Sequence, residues 1–399
     1  MKLTNPLILL AFIAALSAAH AGEPRVLDSM DAATFSPPKE KGEVELVEGK
    51  DGKALKFSFD DKCLNTYAFS KIKGAPDWDT SAGLSFWVKG DGSDHLGAIQ
   101  FVWNEDFGIR YGFCFPIDGT EWKKITMPWR DLIPETANPN AKPLGTHGNA
   151  PSKLGAMWVG KWWYWKNYAA HSFTIDDIRL EAVMPVDVSE PQATPALQRV
   201  SEKLKAGKPI TVVTMGDSLT DYNHWANKPV NWPTLFKEKL TKKFGSAVTV
   251  INPAIGGTEL RQNLIMMPRW LKQAPEPDLV TICFGFNDFS SGMRGAMMQQ
   301  TLEDGIDRVR RMTHGKSDIL LITTCRAVDQ WDTMAEMAEA FRKASAAKGV
   351  AVADIYNAFG EEGKTDKEKL FCRDKVHLGP AGHEVVAKTV FEAIEKAAQ

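Results

Sequence analysis

The chain has 399 residues, and 48 Lys and Arg against 50 Asp and Glu give it a formal net charge of -2. Nucleic-acid-binding proteins usually carry a basic excess, so this balance argues against a nucleic-acid partner. With 44% hydrophobic and 25% charged residues, the composition is that of a folded globular protein and excludes a disordered chain. The length predicts two or three domains of roughly 150 residues each.

The N-terminus has the pattern of a cleavable export signal. Lys2 precedes an apolar run from Pro6 to Leu16, and the small-x-small pattern Ala19-His20-Ala21 follows as a cleavage site. We therefore expect a signal peptide over residues 1–21 and a secreted or periplasmic protein, with a short N-terminal anchor as the alternative. No stretch reaches the roughly 18 apolar residues that a membrane span needs, so none is predicted.

Residues 22–183 predict an all-β domain. Short segments rich in β-branched and aromatic residues are bounded there by Gly, Pro, Asp or Asn, as is typical of strands joined by turns. Their spacing predicts a β-sandwich of the jelly-roll kind. The predicted strands are Leu84–Lys89, Ala98–Trp103, Tyr111–Ile117, Lys124–Trp129, Gly155–Trp165 and Ser172–Ala182.

Tryptophan is concentrated in this first half. The chain has 13 Trp, and only Trp225, Trp232, Trp270 and Trp331 fall in the second half. In the run from Trp162 to Trp165, both faces of a strand would be aromatic, so one face is expected to point away from the core. Trp163 and Trp165 are therefore candidates for stacking on sugar rings, and the filling of a β-sandwich core is an equally good interpretation.

A different pattern starts after a polar, proline-rich linker at residues 184–195. In residues 196–399, apolar strands alternate with helical segments, which predicts a parallel five-stranded sheet covered by helices on both faces. The predicted strands are Ile210–Met215, Val248–Ile251, Leu279–Cys283, Ile319–Thr323 and Val350–Ile355. The predicted helices are Trp232–Phe244, Met297–Met312, Met334–Ala347 and Pro380–Ala397.

Polar motifs follow the first three of these strands, and another precedes the last helix. Ser218 follows the first strand, Gly257 the second and Asn287 the third. Ligands of open α/β sheets bind outside the carboxyl ends of the strands, so these residues are expected at one rim. Asp374 and His377 are three residues apart, a spacing that lets Asp374 hold the His377 ring.

These residue types are the ones that acyl transfer needs. A serine hydroxyl needs a base within hydrogen-bonding reach, and His377 is the candidate. Asp374 would fix the tautomer of that ring and stabilise its charged form. The N–H groups of Ser218 and Gly257 and the Asn287 amide would form the oxyanion hole. We predict Ser218, Asp374 and His377 as catalytic residues.

The sequence predicts no cofactor and no metal. His383 begins an H-E-x-x-H pattern, but Ala387 stands at its last position, so His383 is expected to lie on a face of the closing helix. The five cysteines contain no C-x-x-C pair, and Cys63 with Cys114 is a candidate disulfide.

Three further residues near the predicted site are candidates for substrate binding. They are Asp217, Trp225 and Asp288. Asp217 is also expected to order the serine loop, and Asp288 to cap the segment that follows it.

The four polar motifs resemble those of the SGNH superfamily of GDSL-type hydrolases. Ser218, Gly257, Asn287 and His377 match its four signature positions, and the resemblance extends from Pro209 to the C-terminus. It implies a flavodoxin-like α/β/α sandwich and a metal-free esterase or deacetylase activity.

Two positions depart from that pattern, because Asp221 and Ala254 stand where glycine is frequent. Both departures are expected to reshape the pocket rim. The first half more loosely resembles the β-sandwich carbohydrate-binding modules of secreted enzymes that degrade polysaccharides. That resemblance rests on Leu84–Gly92, Trp122–Pro128 and Phe173–Leu180.

The leading hypothesis is a secreted serine esterase that removes O-acetyl groups from an acetylated polysaccharide or oligosaccharide. A second is an exported GDSL-type lipase or thioesterase that acts on lipid acyl esters. A third, from another class, is a carbohydrate-binding protein whose hydrolase domain is inactive. Preference for short-chain esters, preference for long-chain esters and absence of turnover would distinguish the three.

Overall fold

The computed structural model describes residues 23–61, 66–145, 148–161, 169–184 and 195–399. The predicted signal peptide, Cys63, Trp163, Trp165 and most of the predicted linker lie outside these ranges. The chain divides into two compact units. One comprises Met1–Leu132 with Lys142–Val186, and the other comprises Ile133–Ala141 with Asp187–Gln399.

The first unit is built from antiparallel β-sheets. Its strands are β1 (Arg25–Asp28), β2 (Phe35–Ser36), β3 (Gly42–Glu48), β4 (Lys53–Phe59), β5 (Tyr67–Ser70), β6 (Gly83–Gly90), β7 (Leu96–Trp103), β8 (Asp106–Pro116), β9 (Lys123–Pro128), β11 (Trp158–Lys161) and β12 (His171–Glu181). One sheet has the order β3-β4-β12-β6-β9, with β1 also paired to β12, and the other contains β8-β7-β11-β5-β2. The predicted β-rich character of this half is confirmed.

Aromatic side chains from the two sheets meet in the core of this unit. The Phe115 ring on β8 lies 5.4 Å from the Phe86 ring on β6 and 5.4 Å from the Phe173 ring on β12. Burying such rings is favourable because each removes a large apolar area from water. The strand predicted at Gly155–Trp165 starts later, at Trp158. The reason is that the N–H groups of Gly155 and Met157 bond to carbonyls outside the β11 ladder.

The second unit holds a parallel sheet and the α-helices of the described residues. Its strands are β10 (Ile133–Pro134), β13 (Ile210–Gly216), β14 (Val248–Ile251), β15 (Leu279–Cys283), β16 (Asp318–Ile322) and β17 (Ala351–Ala353). Its helices are α1 (Gln198–Lys205), α2 (Trp232–Phe244), α3 (Leu260–Ile265), α4 (Pro268–Leu271), α5 (Phe286–Ser290), α6 (Gly295–Met312), α7 (Ala335–Lys348), α8 (Ile355–Asp366) and α9 (Pro380–Ala397). The sheet order is β14-β13-β15-β16-β17, so the predicted parallel five-stranded sheet is confirmed.

The last strand is shorter than the sequence predicted. It ends at Ala353, and Asp354 then caps a helix, α8, that the sequence analysis did not anticipate. The Asp354 carboxylate accepts the Asn357 N–H at 3.1 Å, which satisfies a donor that the first turn leaves free. The apolar run from Val350 to Ile355 thus spans a strand, a cap and a helix start, which hydrophobicity alone does not separate.

A segment from the first half of the sequence belongs to the second unit. The buried Arg261 guanidinium on α3 donates to the backbone carbonyl of Thr136, and its Nε donates to Thr301 Oγ1 at 3.1 Å. The second unit is therefore not continuous in sequence, whereas the predicted domain boundary at residue 196 assigned this segment to the β domain.

The sheet order brings three loops to one edge. Because β13 lies between β14 and β15, the loops that follow these parallel strands leave the same edge side by side. None of the helices in the described ranges combines the length and the apolar character that a bilayer crossing takes.

Candidate active site

Ser218 lies in a tight turn at the end of β13. The N–H groups of Thr220 and Asp221 both bond to the Asp217 carbonyl at 3.0 Å, which closes the turn. A Cβ on Gly216 would lie 2.3 Å from Thr220 Oγ1, so the turn has room only for glycine at that position. The close approach of Thr220 therefore explains why a glycine precedes Asp217 and Ser218 in the sequence.

The structure brings Ser218, His377 and Asp374 together. His377 Nε2 lies 3.0 Å from Ser218 Oγ, and His377 Nδ1 lies 2.6 Å from Asp374 Oδ2. Because Nδ1 faces a carboxylate, we assign the ring proton to Nδ1, which leaves Nε2 free to accept the serine proton. The geometry is that of a nucleophile, a base and a group that orients the base.

The Asp374 carboxylate is held in place by the segment that it orients. Its Oδ1 accepts the backbone N–H groups of Val376 at 3.1 Å and of His377 at 3.0 Å. Partial burial raises the pKa of the Asp374 carboxyl, but the hydrogen bonds from the His377 ring and from these N–H groups outweigh it, so the pKa is below its ordinary value. Asp374 thus remains an anion behind the His377 ring.

Gly257 and Asn287 reach the same edge from the neighbouring loops. Gly257 has φ of 78°, a left-handed conformation that glycine adopts without strain. Asn287 Nδ2 donates to the Thr258 carbonyl at 3.1 Å and to Asp217 Oδ2 at 3.4 Å. These two bonds hold the Asn287 amide beside the serine loop.

Asp217 and Asp288 are buried, and their carboxylates bond to backbone. Asp217 Oδ1 accepts the Leu219 N–H at 3.0 Å, while Asp288 accepts the N–H groups of Leu260 at 3.0 Å and Gly285 at 3.1 Å. Burial raises the pKa of Asp217 to about 6 and that of Asp288 to about 7. Side chains without exposed surface cannot contact a substrate, so the structure favours loop organisation for both residues over the predicted substrate contact.

Trp225 lies beside the triad, together with a residue that the sequence analysis missed. The His224 ring stacks on the His377 ring with centroids 4.3 Å apart, and the Trp225 ring meets His377 at 5.7 Å in a T-shaped arrangement. Burial and the neighbouring His377 ring lower the pKa of His224. Trp225 remains 55% exposed, which leaves its ring available to a ligand.

Asn227 and Asp221 tie the serine loop to its surroundings. Asn227 is fully buried, and its Nδ2 donates to the carbonyls of Ser218 at 2.6 Å and Asp221 at 2.7 Å. Asp221 Oδ2 accepts the Gly256 N–H at 3.0 Å, a bond that a glycine at position 221 would not make. Asp221 thus joins two loops at the rim of the site. The role of Asn227 was not predicted, because a single Asn in a loop has no pattern in the sequence that indicates its contacts.

His383 lies on the closing helix and is fully buried. Its Nδ1 accepts the Trp232 backbone N–H at 3.2 Å, and burial lowers its pKa to about 4. Among the residues that the structure describes, no group of three or more His, Cys, Asp or Glu side chains is arranged to hold a metal ion.

Residues 214–385 match the sequence model of the GDSL-like Lipase/Acylhydrolase family. This stretch of the chain is a GDSL-like hydrolase domain. The match confirms the resemblance to GDSL-type hydrolases for this part of the chain. The hydrolase domain contains the turn of Ser218, the rim residues Gly257 and Asn287, and the pair Asp374 and His377.

The chain is also similar to characterised proteins and solved structures. A mannan endo-1,4-beta-mannosidase from Bifidobacterium adolescentis is 28% identical over 178 residues, which is 42% of this chain and 17% of that enzyme. This chain therefore matches less than a fifth of that relative's length. A lipase/acylhydrolase from Enterococcus faecalis is 22% identical, with a TM-score of 0.39 over 47% of this chain and 96% of the other. An acetylxylan esterase from Geobacillus stearothermophilus is 20% identical, with a TM-score of 0.40 over 48% and 96%.

Proposed function

We propose that the protein is a secreted serine esterase that removes O-acetyl groups from a polysaccharide or oligosaccharide. The observation that carries the proposal is the contact of 3.0 Å between Ser218 Oγ and His377 Nε2, with Asp374 Oδ2 2.6 Å from His377 Nδ1. A serine hydroxyl becomes a useful nucleophile when a neutral imidazole takes its proton. The contact lies within the hydrolase domain, whose family supplies the coarse reaction class.

Acylation begins when Ser218 Oγ attacks the carbonyl carbon of the ester while His377 Nε2 takes the hydroxyl proton. The carbonyl oxygen then carries a negative charge, which the N–H groups of Ser218 and Gly257 and the Asn287 amide would stabilise. Such preorganised donors contribute more in the transition state than in the ground state. The intermediate collapses when the carbon–oxygen bond to the alcohol breaks, and His377 returns its proton to the departing oxygen.

Deacylation repeats these steps with water. His377 takes a proton from the water molecule as its oxygen attacks the acyl carbon, and the same donors hold the second oxyanion. When the bond between the carbon and Ser218 Oγ breaks, His377 returns the proton to the serine. The products are the free alcohol and a carboxylic acid, which is acetic acid for the proposed substrate.

The surface of the second unit supports a short acyl group over a lipid chain. A long acyl chain needs a continuous apolar groove. In the described residues of this unit, Trp225 is the only large hydrophobic residue with more than half of its surface exposed. A single exposed ring beside His377 supports a short acyl group in this proposal.

The first unit supports a carbohydrate polymer as substrate. Phe69 and Phe107 are 41% and 64% exposed, and both rings contact Trp158, with centroids 5.2 Å and 6.0 Å away. Aromatic side chains held at a surface suit the apolar faces of sugar rings, and an appended binding module raises the local substrate concentration. The similarity to an enzyme named for mannan agrees with this proposal. We propose a carbohydrate-binding role for residues 22–183 apart from Ile133–Ala141, which belongs to the second unit, with residues 184–195 as linker to the catalytic domain at 196–399.

The proposal is tested with p-nitrophenyl acetate, butyrate and octanoate, and with acetate release from acetylated xylan and acetylated mannan. We expect turnover to fall as the acyl chain lengthens, and acetate to be released from at least one of the polymers. Preference for the octanoate would instead indicate a lipase or thioesterase. Absence of turnover on every ester would indicate an inactive hydrolase domain.

A further inference from the structure

The exposed Trp225 ring lies beside His377, the residue that handles the proton of the alcohol in the proposed mechanism. In the proposed mechanism, His377 Nε2 returns its proton to the departing oxygen, so the alcohol lies next to this ring at that step. Trp225 contacts His377, with ring centroids 5.7 Å apart, so its ring lies beside the residue that protonates the departing alcohol.

Buried hydrogen bonds hold the backbone of the turn that carries Trp225. Asn227, two residues further on, is fully buried and donates to the carbonyls of Ser218 and Asp221. The Asn227 N–H in turn bonds to the His224 carbonyl at 3.0 Å. These bonds fix the short 3₁₀ turn Trp225–Asn227 relative to the nucleophile. The Trp225 ring itself contacts the rings of His224 and His377, and a side chain that is already packed loses less freedom when it binds a ligand.

The surroundings of the ring determine what kind of alcohol fits it. Its neighbours are polar: His224 and His377 contact the ring, the Asp221 carbonyl accepts the His224 N–H at 3.1 Å, and Asp374 bonds to the His377 ring. An alkyl alcohol would need more apolar surface than one ring provides. A pyranose has an apolar face of C–H groups and a rim of hydroxyls, which matches a single aromatic ring among hydrogen-bonding groups.

We infer that Trp225 is the platform on which the pyranose ring that carries the ester stacks, and that it determines the preference for sugar esters over ring-free esters. The inference rests on the proposed function and assigns the alcohol side of the same site. The His224 ring contacts the Trp225 ring, with centroids 5.5 Å apart, and stacks on the His377 ring.

The test compares kcat/KM for mono-O-acetylated methyl xylopyranosides and mannopyranosides with kcat/KM for trifluoroethyl acetate, an ester whose alcohol has no ring. We expect Trp225→Ala to lower the ratio of kcat/KM for the sugar esters to kcat/KM for trifluoroethyl acetate about tenfold. The change should come mainly from KM for the sugar esters, because one aromatic stack is lost. Trp225→Phe retains a flat ring and should restore the ratio to within about threefold of wild type. Leu46→Ala, which removes an exposed apolar side chain of the first unit, is the control and should leave the ratio at the wild-type value.

The outcomes distinguish this inference from the proposed function. If wild type hydrolyses the sugar esters and Trp225→Ala leaves the ratio within about twofold of wild type, the platform is refuted while the esterase stands. An equal loss on both esters would also refute it, because the ring would then act on the chemistry and not on the alcohol. If wild type hydrolyses trifluoroethyl acetate alone, the sugar substrate itself is wrong, and the platform with it.

Discussion

Replacement of His383 by asparagine should change how the stability of the second unit depends on pH. The His383 ring is fully buried on α9, and its Nδ1 accepts the Trp232 N–H at 3.2 Å. Burial lowers its pKa from 6.5 to about 4, because a charged imidazolium would lose its hydration there. In His383→Asn, the side-chain oxygen can still accept the Trp232 N–H, but no group titrates.

The size and sign of the effect follow from proton linkage. A pKa depressed in the folded state means that the unfolded chain takes up a proton first as the pH falls. The stabilisation from a neutral His383 is therefore complete above pH 6.5 and is lost between pH 6.5 and about 4. At about 1.4 kcal/mol for each pKa unit, the loss amounts to about 3 kcal/mol.

Urea unfolding followed by circular dichroism at 222 nm, at several pH values from 7.5 down to 4.5, measures this quantity. The helical signal reports on the second unit, because all α-helices of the described residues lie there. We expect the difference in unfolding free energy between wild type and His383→Asn to shift by up to about 3 kcal/mol in favour of the variant across this range. Val386→Ala on the same helix is the control, since it destabilises the unit by an amount that does not depend on pH. A difference between wild type and His383→Asn that is constant with pH would refute the reasoning.

Three further predictions concern the chemistry. Ser218→Ala should lower turnover of p-nitrophenyl acetate about 10⁶-fold with an unchanged circular dichroism spectrum, and retention of a few per cent of the activity would indicate another nucleophile. Asn287→Ala should lower kcat about 10²- to 10³-fold by removing one oxyanion donor, and a change confined to KM would argue against that role. Because protein groups supply every step of the proposed mechanism, hydrolysis should survive EDTA; loss of activity to EDTA that added metal restores would contradict it.

The strands and the order of the motifs were readable from the sequence because both are local properties. Continuous apolar runs identified β13, β14 and β15 to within a residue, since a strand buried on both faces has no polar alternation. A motif that directly follows such a strand must lie at the rim of the sheet. The spacing of Asp374 and His377 is local in the same way, and the structure shows the contact at 2.6 Å.

Features that depend on tertiary contacts could not be predicted from the sequence. The start of α8 depends on the Asp354 cap, and the exclusion of Asp217 and Asp288 from the surface depends on which backbone N–H groups fold around them. Acidic residues are normally exposed, so the sequence left a substrate contact and a loop-holding role open for both residues, and it did not predict their burial. The stack of His224 on His377 likewise joins residues more than 150 positions apart.

The sequence by itself determined the alternation of strands and helices in the second half, the β-rich character of the first, and the residues that acyl transfer would use. Only the tertiary structure decided which of these residues meet, because contact between distant loops depends on strand order and on buried partners such as Asn227. The tertiary structure also decided the place of Ile133–Ala141, which lies in the first half of the sequence but belongs to the second unit. Periodicity records the local environment of each residue, whereas the partner across a fold is selected by packing and hydrogen bonding that no short stretch of sequence contains.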